Sequence, residues 1–248
     1  MNYKVSSPKF NNFLINIQND FSKQTNRVLF EQRNTIKLID YNKKKYVVKS
    51  FKIPHLLNQV VYRFFRASKA QRSYENSVKL KELGVNTPDP IGYIEFPSLF
   101  LFKESYYISE FFDYDFEIRA VLADSIFQDR EAILKAFVAF SYDLHNKGVY
   151  HIDYSPGNVL IKKSKDGYVF SIIDVNRMKF IAYDDEMRFK NLSRFSTSDA
   201  DLNFIAGEYA RLADLDEKFA VDTLRKYHNE HQQYLANKKR LKALKKKK

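Results

Sequence analysis

Residues 151–158 read HIDYSPGN, and their surroundings restrict the possible folds more than anything else in the chain. An amphipathic run, REAILKAFVAFSYDLHNKG (130–148), precedes them and closes at Gly148. Two apolar segments, VLIKK and YVFSIID, follow on either side of SKDG, and the second ends at Asp174. Helical spacing, then a polar loop, then a hairpin brings Asp153, Asn158 and Asp174 onto one supersecondary unit. A lone loop aspartate or asparagine is usually a turn residue, so it is the order of the elements that gives these three weight. His151 reads as a brace for the loop rather than as a catalyst.

Phosphoryl transfer from a nucleotide needs such a set. One carboxylate orients the attacking hydroxyl and accepts its proton, while an amide oxygen and a second carboxylate hold Mg²⁺ against the phosphates. The pattern H-x-D-x-x-x-x-N with a later strand-end Asp is shared by protein kinases and their small-molecule relatives. That fold also requires a lysine on its third strand and a helix glutamate to pair with it. RVLFEQ (27–32), NTIKLIDY (34–41) and KYVVKSF (45–51) read as three short strands with turn residues between them. Lys49 follows two valines in the third. Lys43, Lys44, Lys45 and Lys52 compete with it, and strand phase favours Lys49. The run SKAQRSYENSVKLKELG (68–84) reads as a helix closed by Gly84. It offers Glu75 for the pair, with Glu82, near its end, a second choice. The turn FEQRNTI has no glycine to let backbone amides approach phosphate; Arg33 supplies charge there or is a plain surface residue.

After Pro54, apolar residues at 56, 57, 60, 61, 64 and 65 have helical spacing over 54–66. IGYIEF and SYYISEFF read as two more strands, the second ending near Phe112, and 184–237 is polar and helical in pattern. The expected fold is α+β and two-lobed: a β-rich first lobe over about 25–110 with one or two helices, a mostly helical second lobe over 113–237, and a basic tail at 238–248. The whole is expected to form one catalytic domain. With 22 Phe and 17 Tyr the chain has ample core material, and with no cysteine it has no disulfide, thiolate metal site or cysteine nucleophile.

HIDYSPGNVLI with IIDVNRMKF, preceded by VVKSF and SKAQRSYENSVKLKELGVNTPDPIGYIE, resembles the bacterial lipopolysaccharide core kinases. These belong to the eukaryotic-like protein kinase superfamily and phosphorylate Kdo or heptose sugars of the inner core. The resemblance covers about residues 25–195. It implies Asp153 as catalytic base, Asn158 and Asp174 as metal ligands, Lys49 and Glu75 as the phosphate-orienting pair, and Glu110 to Phe112 as the stretch meeting adenine, with ATP and Mg²⁺ as cofactors. Ser155 stands where serine/threonine protein kinases carry a lysine. Val175-Asn176-Arg177 replaces Phe-Gly after Asp174, and no A-P-E segment follows. A peptide platform is therefore not expected, and a small-molecule or glycolipid acceptor is.

Other readings stay open at this point. The acids of DYDFE (113–117) suit a polycationic soluble acceptor such as an aminoglycoside, or another small alcohol such as choline. The glycine-free turn suits a non-catalytic pseudokinase. The net charge is +12, and residues 238–248 hold eight Lys or Arg and no acid, leaving +4 on the other 237 residues. Such a tail is either a solvated terminus or a contact with an anionic surface. An anionic membrane face fits a lipid-linked acceptor; nucleic acid is the weaker option. The apolar face of 54–66 reads as core packing more readily than as membrane contact. With no signal peptide pattern and no 18-residue apolar run, the expected location is the cytoplasm, peripherally at the inner face of the inner membrane.

Overall fold

The computed structural model describes the chain apart from residues 33, 54–58, 60–65, 99–100, 196–197 and 246–248. Arg33 and nearly all of the helix expected at 54–66 therefore lie outside the described residues. Two compact units form: Met1–Asp113 with Ile172–Arg177, and Tyr114–Ser171 with Met178–Lys248. The first is rich in strand and the second mostly helical, as the α+β pattern predicts.

The first unit contains β1 (Asn2–Val5), α1 (Asn11–Ile15), α2 (Ile17–Ser22), β2 (Arg27–Glu31), β3 (Asn34–Tyr41), β4 (Lys44–Phe51), α3 (Lys69–Glu82), β5 (Pro90–Ser98) and β6 (Leu101–Glu110). Its six strands form an antiparallel sheet in the order β1-β5-β6-β4-β3-β2. Asn42 and Lys43 turn β3 into β4 with both residues left-handed, the two-residue hairpin geometry that matches strand twist. Alternation then sorts the two faces. Tyr46, Val48, Ile94, Tyr106 and Ile108 pack with Phe10, Phe13, Leu14 and Ile17 of the amino-terminal segment. Phe51 and Tyr93 pack with Ala70 and Tyr74 of α3 on the other face. A Cβ at Gly92 would fall 2.5 Å from the Lys4 carbonyl oxygen and 2.7 Å from Leu14 Cδ2, so only glycine lets β1 and α1 close on β5. Ser68 caps α3 by accepting the Gln71 N–H at 3.0 Å.

Residues 172–177 belong to this unit through three bonds. Ile172 N–H donates to Asn86 O at 3.1 Å, Thr87 Oγ1 donates to Ile172 O at 2.8 Å, and Asn76 Nδ2 of α3 donates to Val175 O at 2.7 Å.

The second unit runs β7 (Phe116–Glu117), α4 (Ile118–Ala123), α5 (Arg130–Asn146), β8 (Val149–His151), β9 (Val159–Ser164), β10 (Gly167–Ile172), β11 (Met178–Phe180), α6 (Asp185–Leu192), α7 (Asp199–Ala213) and α8 (Glu217–Lys245). Helix α5 buries Ile133, Leu134, Phe137, Val138 and Leu144. The Phe137 ring lies 4.7 Å from that of Phe195, which lies 4.6 Å from that of Tyr154. Gly148 ends α5 with φ +70°, and a Cβ there would meet Ile181 O at 2.8 Å. Strand β8 pairs with β11, His151 opposite Met178.

Two expectations shift. Residues 2–22, read as lying ahead of the first lobe, form β1, α1 and α2 and supply much of the first unit's core. Of the basic segment, residues 238–245 continue α8, exposed as far as Leu244.

Candidate active site

The strand phase that buries Phe51 beneath α3 turns Lys49 to the same face. The Lys49 ammonium pairs with the Asp174 carboxylate. The lysine side chain is 12% exposed and the aspartate 37%, so the cation is sunk and the carboxylate presented to solvent. Asp174 lies just beyond β10 with φ +58°, a conformation that aspartate tolerates better than most side chains. Asn176 Nδ2 donates to its Oδ1 at 2.8 Å, and the Asn76 bond to Val175 O holds the next peptide. Left-handed non-glycine residues persist where their surroundings over-determine them, and they gather at functional sites.

The expected Lys49–Glu75 pair is not formed. Helix α3 buries Ser73, Tyr74, Ser77 and Leu80, which turns Glu75 outward, where it accepts from Gln71 Nε2 at 2.8 Å. Glu82 is exposed as well, 3.3 Å from Lys79. Glu110 ends β6, 3.6 Å from Lys44, and its N–H donates to Asp89 O at 2.9 Å. Phe112 is half-buried two residues on.

In the second unit, β8 delivers the loop. His151 is fully buried, and its Nδ1 accepts the Asp153 N–H at 3.1 Å. Asn158 Nδ2 donates to Asp153 O at 2.9 Å, tying the ends of the span 153–158 together. Tyr154 is buried, with its hydroxyl 2.9 Å from Ser141 Oγ. The Asp153 carboxylate is 30% exposed and lies 3.9 Å from the Arg194 guanidinium. A Cβ at Gly157 would fall 1.8 Å from Arg119 Nη2, so glycine there lets that guanidinium lie over the loop.

Beneath the loop runs a relay of hydrogen bonds with no counterpart in the sequence reading. Arg188 donates to the Tyr209 hydroxyl at 3.0 Å, which donates to His145 Nδ1 at 2.8 Å. His145 Nε2 donates to Asn191 Oδ1 at 3.2 Å, and Asn191 Nδ2 donates to His151 O at 2.9 Å. The amide orientation fixes the histidine tautomer. Burial pushes the His145 imidazole down to about 3, with Arg188 adding to the shift and the Asn191 bond opposing it. The imidazole is therefore neutral at physiological pH.

The acids of DYDFE have local work. Asp115 Oδ2 accepts the Lys163 N–H at 2.7 Å, and Glu117 lies 3.6 Å from Arg119.

A sequence profile of the lipopolysaccharide kinase (Kdo/WaaP) family matches residues 20–215. The chain belongs to that family. No curated protein sequence matches it. Among solved structures, WaaP in complex with acyl carrier protein is similar with a TM-score of 0.64 at 18% identity, over 93% of this chain and 99% of that one. The kinase domain of Mycobacterium tuberculosis PknI aligns with a TM-score of 0.46 at 14% identity, over 81% of this chain and 94% of that one. The lipopolysaccharide kinase thus has the kinase-like α+β fold expected of it, and it is a phosphotransferase.

Proposed function

We propose that this kinase transfers the γ-phosphoryl group of ATP, with Mg²⁺, to a hydroxyl of Kdo or heptose in the lipopolysaccharide inner core. The observation that carries the reading is the braced loop of Asp153 and Asn158 in a chain of this family whose first unit pairs Lys49 with Asp174. Asp153 accepts the proton of the acceptor hydroxyl as its oxygen bonds to phosphorus and the bridging bond to ADP breaks. A positioned base contributes about 10²–10⁴ in rate. Arg194, 3.9 Å away, keeps that carboxylate oriented. Lys49 sets its charge against the phosphates, and Glu110 to Phe112 meet the adenine.

The oxygen donors fit a hard cation. The Asn158 amide nitrogen is committed to Asp153 O, which leaves its Oδ1 to face a metal, and the Asp174 carboxylate is partly exposed. Asn158 of the second unit and Asp174 of the first are each offered as a ligand for Mg²⁺, which when bound would neutralise charge on the transferred group.

A lipid-linked acceptor calls for peripheral contact with the cytoplasmic face of the inner membrane. Supporting this, the last turns of α8 expose Tyr234, Leu235, Leu241 and Leu244 among lysines. Each Lys or Arg at an anionic surface is worth about 1 kcal/mol. Among the described residues no helix is long and apolar enough to cross a membrane. Deleting 238–248 is expected to abolish co-sedimentation with anionic vesicles; unchanged pelleting would rule the contact out.

Transfer of labelled γ-phosphate onto a Kdo–lipid A acceptor, beside a heptose-bearing core, an aminoglycoside and a generic protein, tests the assignment. Label on the glycolipids alone is expected. Label on the aminoglycoside alone would replace the acceptor, and no transfer despite Mg-ATP binding would point to a pseudokinase.

A further inference from the structure

Beside the loop of the second unit lies a cavity of about 230 Å³, whose lining includes Tyr150, Lys190, Arg194, Tyr227, Glu230 and His231. We propose that this pocket seats a negatively charged group of the acceptor, and that Lys190, Arg194 and His231 select an acidic sugar over a neutral one. The inference rests on the kinase reading above and extends it to the acceptor's chemistry.

Position comes first. Arg194 lines the cavity and also stands 3.9 Å from the Asp153 carboxylate, so the pocket begins where the proposed base ends. That ion pair is at the limit of contact, and a guanidinium has five N–H donors in a fork that matches carboxylate or phosphate. It can hold a second anion while it orients the first.

Charge agrees with position. Two cationic side chains, Lys190 and Arg194, and the His231 imidazole face one acid, Glu230. Burial pushes the His231 imidazole down, and Arg194 and His228 push it further, which marks the place as electropositive. The walls are set before any ligand arrives. Asn191 is buried and bonded to His151 O. His228 Nδ1 donates to Ser193 O at 3.0 Å. The Tyr227 hydroxyl donates to Glu186 at 2.6 Å, and Lys190 Nζ lies 5.3 Å from the centre of its ring.

Size and chemistry then narrow the occupant. At about 30 Å³ of liquid volume per water, the space holds roughly eight waters, room for one sugar residue. Kdo carries a carboxylate; a heptose is neutral unless it is already phosphorylated. A pocket of this charge favours the acid, or a sugar that an earlier phosphorylation has made anionic.

The test is equilibrium binding by the full chain of free Kdo, its methyl ester and inorganic phosphate, with Lys190→Met and His231→Gln as variants. Kdo is expected to bind at least tenfold more tightly than the ester. Each variant should weaken Kdo at least threefold and narrow the acid-to-ester ratio, with ATP affinity unchanged. In turnover, the same variants should raise the acceptor KM while kcat stays within twofold. Displacement of Kdo by phosphate identifies a general anion seat, and its absence a carboxylate seat; either supports the pocket. Equal affinity for acid and ester, or two variants that bind Kdo as the parent does, overturns it. If no Kdo acceptor is phosphorylated while the acid preference holds, the kinase reading fails and the pocket stands. Transfer indifferent to the carboxylate is the reverse.

Discussion

Asp174 and Asp153 stand in different units of the molecule and are held in opposite ways. In the first unit, Asp174 is fixed from outside its backbone, by the Lys49 ammonium, the Asn176 amide and the Asn76 bond to the next peptide. In the second, Asp153 is fixed through its backbone. Its N–H is given to a buried histidine and its carbonyl to Asn158, and below the histidine lies a relay reaching Asn191, His145 and Tyr209. A carboxylate held by side chains can exchange partners when ligands arrive. A carboxylate held through its backbone keeps its aim.

Breaking the first arrangement should cost activity and little stability. Lys49→Met is expected to lower kcat by about 10²–10³, the range seen when one charge-stabilising group is removed. It leaves a carboxylate that is 37% exposed and still bonded to Asn176, so the denaturant midpoint should scarcely move. Steady-state rates and urea melts on the same preparations separate the two effects, and a melt shifted as far as the rate would erase the contrast.

Breaking the second should do the opposite. Asn191→Ala strips His145 Nε2 of its partner, and a buried group left unpaired costs about 1–3 kcal/mol, while His151 O keeps the Tyr154 N–H. Chemical unfolding should show that loss directly, and no loss would mean that the relay is incidental.

The relay also sets a pH dependence. The folded His145 value, about 3, lies below the ordinary 6.5, so between them the unfolded chain binds the extra proton. Stability therefore rises with pH through this window and is lost on acidification below about 6.5, at up to about 1.4 kcal/mol per pH unit. His145→Gln should flatten that slope in urea melts run from pH 7 to pH 5; an unaltered slope would assign the acid sensitivity to other groups.

The smallest effect is expected at Gly157. Alanine there must push aside Arg119, a mostly exposed and flexible side chain, so stability should stay within about 0.5 kcal/mol. A drop of several kcal/mol would mean that the glycine serves the loop's own backbone.

The sequence was legible where one periodicity acts alone. The strands around Lys49, the helix closed by Gly148 and the hairpin before Asp174 follow from spacing and turn residues. The amino-terminal packing was readable too, since Phe10, Phe13, Leu14, Ile17 and Phe21 keep helical spacing, but two short helices split by Asn16 blur the signal. Strands β7, β8 and β11 span two or three residues, too few for alternation to register. Lys49 finds its partner 125 positions away and Asn191 reaches His151 over 40, distances that no local pattern encodes. Glu75 shows the limit from the other side: residue type and helix were suitable, while the burial of Tyr74 and Ser77 decided which way it faced.

Asp153→Asn, assayed for phosphoryl transfer to a Kdo–lipid A acceptor and for unfolding free energy in one preparation, decides whether this carboxylate is the base. Transfer is expected to fall about 10²–10⁴-fold with stability within about 0.5 kcal/mol, because the bonds to His151 and Asn158 run through the Asp153 backbone and are untouched. Transfer that survives, or that falls only as far as the protein unfolds, would contradict Asp153 as the base.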